Sequence, residues 1–154
     1  MAPRIDVNKY VGSGLGRGLL HLGHEVEKAG IDRTLYELVK IRASQINGCA
    51  YCIDMHTKDA RAAGETEQRI YALSAWRKTP FFSDRERAAL AWTEAVTRIG
   101  DGVSDALFDG AKGQFSEKEL TDLTWAVAAI NAWNRVAISF RSVPGMYQPK
   151  NAGA

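Results

Sequence analysis

The sequence predicts an all-α fold, a single compact helical domain of six to eight helices. Three observations predict it. Apolar residues recur at three- and four-residue spacing in segment after segment, which is the period of one helix face. The runs Ser83 to Glu86 and Ser116 to Glu119 have the form of capping boxes, where a serine and a glutamate satisfy each other's free backbone donors at a helix start. No segment sustains the apolar–polar alternation of a half-buried strand.

Residues 1–14 read as a flexible lead-in. The glycines Gly12, Gly14, Gly16 and Gly18 do not make a dinucleotide fingerprint, because Arg17 and Leu19 stand where the third glycine is needed and no strand precedes them. A first helix runs from about Leu15 or Leu19 to Lys28, with Gly30 as its stop. Asp32 can cap a second, in which Leu35, Leu38, Val39, Ala43 and Ile46 share helical spacing and which Asn47-Gly48 ends. A third extends from about Cys49 to Ala63, and a fourth from Glu67 to about Ala75, closed by Lys78-Thr79-Pro80. Behind the Ser83 box lie Leu90, Trp92, Val96 and Ile99; Ser104 to Gly110 is one more short helix. Behind the Ser116 box, Leu120, Leu123, Val127, Ile130 and Phe140 mark a helix of more than twenty residues. The helical domain is therefore expected over 15–143, followed by a loose tail, 144–154, from which Met146 and Tyr147 can dock.

Composition sets the outer limits. A chain of 154 residues, 45% hydrophobic and 25% charged, is long enough to build one core without a metal or crosslink. The net charge is +2 and the basic residues are scattered, so neither nucleic acid nor an acidic membrane surface is an expected partner. The longest apolar run, Trp125 to Ile130, falls far short of the ~18 residues a membrane span needs. The stretch from Met1 to Tyr10 carries charges but no apolar core or cleavage site, so no secretory signal is expected and a cytoplasmic location is. In that reducing compartment, a pair of cysteines is more often catalytic or metal-binding than a structural bridge.

The chemistry is concentrated between Asn47 and His56. Cys49 and Cys52 are three residues apart and Cys52 and His56 four, so a helix presents all three on one face, together with Ile53, Ala60 and Ala63. His56 leans back toward Cys52 and can take its proton. Cys49 falls in the first turn, where the helix dipole favours a thiolate. A disulfide closing so short a loop restrains the unfolded chain by only ~2 kcal/mol or less, so it is better explained as a bond made and broken in turnover. Other readings compete. A zinc-bound helical interaction module would need a fourth ligand beyond Cys49, Cys52 and His56, available only if His21 or His24 is brought round. A c-type haem would need a histidine where Ile53 stands, and a thioredoxin-like site expects a βαβ context. The pattern calls for no cofactor.

The run from Glu37 through eleven residues to Cys49-Ala50-Tyr51-Cys52, and through three more to His56, resembles the active-site motif of the alkylhydroperoxidase D (AhpD)-like proteins of the carboxymuconolactone decarboxylase-like superfamily. Arg42 to Gly48 and Ile130 to Arg135 are also similar to that family. The resemblance implies thiol peroxidase activity on organic hydroperoxides. Cys52 would be the peroxidatic cysteine, Cys49 the resolving one, and His56 with Glu37 the proton relay. It implies a thiol or lipoyl-type protein as reductant and a homo-oligomer, trimer or hexamer. Some members carry a histidine where this chain has Tyr51. The same pair can instead serve a dithiol–disulfide oxidoreductase or redox sensor without peroxidase activity.

Three positions stand apart. On its helical wheel Glu37 points away from the stripe of Leu38, Val39 and Ile46, so pattern alone makes it a solvated carboxylate that would need covering by another subunit to tune a thiol. Asn131 and Asn134 lie one turn apart on the long apolar helix, within reach of the active site, a subunit interface or simply neighbouring backbone. The Phe81-Phe82 pair, the four tryptophans, Tyr10 and Met146-Tyr147 are expected as core or interface anchors.

Overall fold

The capping residues legible in the sequence are where the helices begin. A computed structural model describes residues 2–149, and no strand occurs among them. Eight α-helices are formed: α1 Asn8–Val11, α2 Gly14–Lys28, α3 Arg33–Asn47, α4 Ala50–Ala62, α5 Glu67–Ala72, α6 Asp84–Thr97, α7 Asp105–Lys112 and α8 Glu117–Phe140. The Asp32 side chain accepts the Leu35 N–H at 2.9 Å and starts α3. Ser83 with Glu86, and Ser116 with Glu119, close both capping boxes reciprocally at the starts of α6 and α8.

Three elements differ from expectation, the first being the end of α6: Ile99 lies past it in a 3-10 turn, Ile99–Asp101, and is exposed. Within the N-terminal stretch read as a lead-in, α1 forms a single turn, and the Arg4 N–H donates to the Phe140 carbonyl at 2.8 Å, tying the N-terminus to the end of α8. The helix expected over 67–75 is α-helical only to Ala72; it tightens into a 3-10 segment over Leu73–Lys78 with a kink at Ala75. The kink lets Trp76 turn inward, where it is buried and its indole N–H donates to Glu94 Oε1 at 2.9 Å.

Helix α3 is the axis of the domain, packed against α4, α6 and α8. It is buried nearly all round rather than along one stripe, with Leu38, Val39, Ile41 and Ala43 sealed from solvent. One side of it joins Leu35 and Val39 to Trp92, Phe115, Leu123 and Val127. The other joins Leu38 and Ile41 to Ile70, Leu73, Trp76, Phe82 and Leu90. Phe82 is therefore a core residue of its own chain, with the Arg69 guanidinium over its ring at 4.9 Å, and needs no partner subunit to cover it. No helix is long and apolar enough to cross a membrane among the described residues.

Candidate active site

The link between α3 and α4 is two residues long. Gly48 ends α3 in the left-handed region, φ 70°, a conformation that glycine adopts without the steric cost a Cβ adds. Cys49 follows as the N-cap of α4: its N–H donates to the Ser44 carbonyl at 2.9 Å, and its sulfur accepts the Cys52 N–H at 3.3 Å. A thiol has taken the place a serine or aspartate usually holds. Cys52 stands one turn on, with its Cα 5.3 Å from that of Cys49, and the two sulfurs are joined as a disulfide. Both are sealed, 1% and 2% exposed, against Ala137 of α8 and the flank of Tyr51.

A ladder of amides holds that link in place. Asn47 Nδ2 donates to Asn131 Oδ1 at 2.9 Å and to Asn134 Oδ1 at 2.8 Å. Asn134 Nδ2 donates in turn to Ser44 Oγ at 3.0 Å, and Asn131 Nδ2 to Thr97 Oγ1 at 3.0 Å. The asparagines of α8 thus neither line the cavity nor bond merely to neighbouring backbone; they clamp the C-terminal turn of α3, from which Cys49 hangs. Asn47 was the unread member: it sits in a helix-stop dipeptide, and its turn role hid its side-chain role.

His56 lies one turn beyond Cys52 and is buried between α3 and α4. Its Nδ1 faces Glu37 Oε2 at 3.4 Å and Asp59 Oδ2 at 3.9 Å. Here the expectation for Glu37 is corrected. It is 6% exposed within a single chain, because α4 packs across the side of α3 that carries it and the apolar stripe is not the only face α3 buries. Its other oxygen accepts from Lys40 Nζ at 2.7 Å, and that ammonium also lies 4.1 Å above the Tyr36 ring. Lys40 and Asp59 went unread, although each stands three residues from a recognised site residue, on the same helix face.

These contacts set the charges. Burial works against ionisation of Glu37, yet His56 and Lys40 outweigh it and hold the carboxyl below its ordinary value. Burial lowers His56 despite the two carboxylates, so the imidazole is neutral at neutral pH and available as a base.

A cavity of about 290 Å³ opens on this site. Its walls are mostly apolar, with Leu19 and Leu20 from α2, Met55 from α4, and Ile130, Trp133 and Val136 from α8. Cys52, Tyr51 and His56 line it, whereas Cys49 does not. Glu37, His56 and Asp59 also bring possible ligand atoms within 4.8 Å of one another, but the Lys40 ammonium bonded to Glu37 opposes a cation there. The set a structural zinc would need is not gathered. No metal-ligating cluster among the described residues includes a cysteine, and His24, although it lines the same cavity as Cys52 and His56, belongs to no such cluster.

Residues 15–95, which hold Glu37, Cys49, Cys52 and His56, match the carboxymuconolactone decarboxylase family. The uncharacterized protein YdfG of Bacillus subtilis is 41% identical over 140 residues, 90% of this chain and 95% of its own. The crystal structure of a protein of unknown function from Agrobacterium tumefaciens, assigned provisionally to antioxidant defence as AhpD, superposes with a TM-score of 0.89 at 39% identity, covering 95% of this chain and all of that one. The alkyl hydroperoxide reductase AhpD of Bradyrhizobium diazoefficiens is 44% identical over 41 residues, 27% of this chain and 22% of its own. The chain belongs to the carboxymuconolactone decarboxylase family, as an AhpD-like member.

Proposed function

We propose that the protein is a thiol-dependent peroxidase that reduces organic hydroperoxides through Cys49 and Cys52, with His56 and Glu37 as its proton relay. One observation carries the reading: Cys52 and His56 share the wall of an apolar cavity, and Cys49, not part of that wall, is within disulfide reach of Cys52. Glu37, as a carboxylate, directs the ring hydrogen of His56 to Nδ1 and leaves the Nε2 lone pair to accept the Cys52 proton.

The Cys52 thiolate attacks the distal peroxide oxygen, the O–O bond breaks, and Cys52 becomes a sulfenic acid. The proton held by His56 goes to the departing alkoxide, which leaves as an alcohol. The Cys49 sulfur then displaces hydroxide from the sulfenic acid; with the Cys49 proton this leaves as water, and the disulfide forms. An external dithiol returns two electrons and two protons. Both sulfurs are almost fully buried, so a reductant on a slender arm, such as a lipoyl group, suits the cavity better than the flat face of a folded protein. The alternative use of the pair, exchange with a partner protein's disulfide, is disfavoured on the same ground. The proposal places the enzyme in the cytoplasm and in a homo-oligomer, trimer or hexamer.

Mass spectrometry of the reduced protein before and after one equivalent of cumene hydroperoxide tests the reading. Loss of two hydrogens mapped to Cys49–Cys52, with one equivalent of cumyl alcohol formed, supports it. Unreacted thiols with intact peroxide overturn it.

A further inference from the structure

The residues after α8 turn back along α4. Pro144-Gly145 makes the turn, with Gly145 at φ 108°. The Gly145 N–H donates to Asp54 Oδ2 at 2.9 Å, and Lys58 Nζ donates to the same oxygen at 2.9 Å and to the carbonyls of Gly145 and Tyr147 at 3.2 and 3.1 Å. Asp54 and Lys58, one turn apart, thus clip the segment to the outer face of the helix that carries Cys52 and His56. The clip delivers the Tyr147 hydroxyl to Asp59 Oδ1, to which it donates at 2.8 Å. The other oxygen of that carboxylate is the one 3.9 Å from His56 Nδ1.

We infer that Tyr147 is a positioning residue for the proton relay: by donating to Asp59 it holds that carboxylate back from His56 and leaves Glu37 as the imidazole's partner. The inference rests on the proposed relay for its role in turnover, but its geometry stands independently. Asp59 and Glu37 compete for one Nδ1–H. An Asp59 carboxylate free of its tyrosine donor has only a short side-chain rotation to make before it bonds His56, and a closer, less satisfied negative charge makes an imidazole more basic. The phenol suits the task because burial and the Asp59 charge both keep it protonated, so it donates across the neutral range. The titratable groups that face His56 or share its cavity are Tyr36, Glu37 and Lys40 from α3, Tyr51, Cys52 and Asp59 from its own helix, His24 and Glu27 from α2, and Tyr147 from the C-terminal segment. Glu27 of α2 and Arg33 of α3 line the recess of about 420 Å³ that Glu37, Asp59 and Tyr147 share on this side.

NMR titration of the histidines in the disulfide form tests this, because no thiol titrates alongside and no peroxide is needed; His56→Ala identifies the His56 signal. Tyr147→Phe should raise the His56 pKa by about half a unit or more, and Asp59→Asn should lower it. Tyr147→Phe introduced into Asp59→Asn should then have no further effect, because the tyrosine acts through the aspartate. An unchanged His56 pKa in Tyr147→Phe, or an equal shift with and without Asp59, overturns the inference. The outcome is separable from that of the peroxidase assay: a shifted pKa in a protein that leaves hydroperoxide intact would refute the activity and keep the positioning.

Discussion

Glu37 Oε2 and His56 Nδ1 face each other at 3.4 Å across the α3–α4 packing, both buried, and neither atom has a full hydrogen bond to any other group. With Lys40 on its other oxygen, Glu37 is held as the anion and His56 as the neutral base. His56→Ala should therefore slow Cys52 oxidation at pH 7 by about a hundredfold, the scale of one general base. Part of the rate should return at alkaline pH, where the thiolate forms unaided. Glu37→Gln should lose less, because the base remains and only its orientation and charge partner go. Stopped-flow pH profiles of peroxide reduction decide it: profiles identical to wild type in both variants remove the relay.

The two thiols compete for the lead role, and their surroundings argue in opposite directions. Cys49 is the N-cap, its sulfur accepting a backbone N–H, which favours a thiolate. Cys52 is the one that meets the cavity and has His56 one turn away. Access and proton delivery should win over acidity. Cys49→Ser treated with hydroperoxide should accumulate sulfenic acid on Cys52, trapped by dimedone and located by peptide mapping, and Cys52→Ser should be inert. Dimedone on Cys49 instead would reverse the assignment.

Helix starts were legible in the sequence because each depends on a local side chain: Asp32, Ser83 and Ser116 cap where their spacing says they do. The Cys49–Cys52–His56 face was legible for the same reason, being set by residues one turn apart. What could not be read was which helix lies across which. The wheel of α3 marks one apolar stripe, but α4 covers a second side, and that turns Glu37 from an apparent surface carboxylate into a buried one. Asn47 with Asn134, and Asp59 with Tyr147, are pairs 87 and 88 residues apart, and no local pattern joins them. The 3-10 tightening after Ala72 is likewise tertiary, forced by the burial of Trp76.

Acid should destabilise the fold through the same buried pair. His56 titrates below its ordinary 6.5 in the folded protein, so between those two values the unfolded chain binds more protons. Stability is then lost as pH falls from about 6.5. Glu37, lowered from 4.5, adds a further loss as pH falls below that value. Urea midpoints of the disulfide form should drop between pH 7.5 and 5.5, and drop less in His56→Gln, whose side chain does not titrate. Parallel curves for the two proteins would count against a buried neutral imidazole.

The amide ladder should carry stability and thiol geometry together. Asn134 is fully buried and bonds both Asn47 and Ser44. Asn134→Ala removes the buried acceptor of Asn47 and the buried donor to Ser44, at a cost of roughly 1–3 kcal/mol. Because Cys49 hangs from the Ser44 carbonyl and the Gly48 turn, the same variant should also close its disulfide more slowly after peroxide addition. Urea unfolding and quenched thiol alkylation read the two effects; a destabilisation below 0.5 kcal/mol by the same scale would show the ladder to be dispensable.

Association is the remaining expectation, and the reasons for it have changed. Glu37, Phe82 and Tyr147 all find cover inside one chain, so none of them calls for a neighbour. Tyr10 and Met146 do stay exposed, and α2 adds to the case. A fifteen-residue helix with an apolar face should bury a stripe, yet α2 buries only Val26, and Leu15 is left 95% exposed with Leu20 also open. Such a helix gains little from its own domain, because helical stability comes mainly from packing that face. Trp125 and Ile138 on α8 are exposed as well. A closed homo-oligomer that covers α2 accounts for Leu15, and aromatic and large apolar groups are the types that buried subunit contacts favour. Multi-angle light scattering at micromolar concentration should give three or six times the 16.9 kDa chain mass. Leu15→Glu, which changes only a solvent-exposed position of the single chain, should lower that mass while leaving the helical circular dichroism intact. A wild-type mass of one chain would refute the expectation and leave the exposure of Leu15 unexplained.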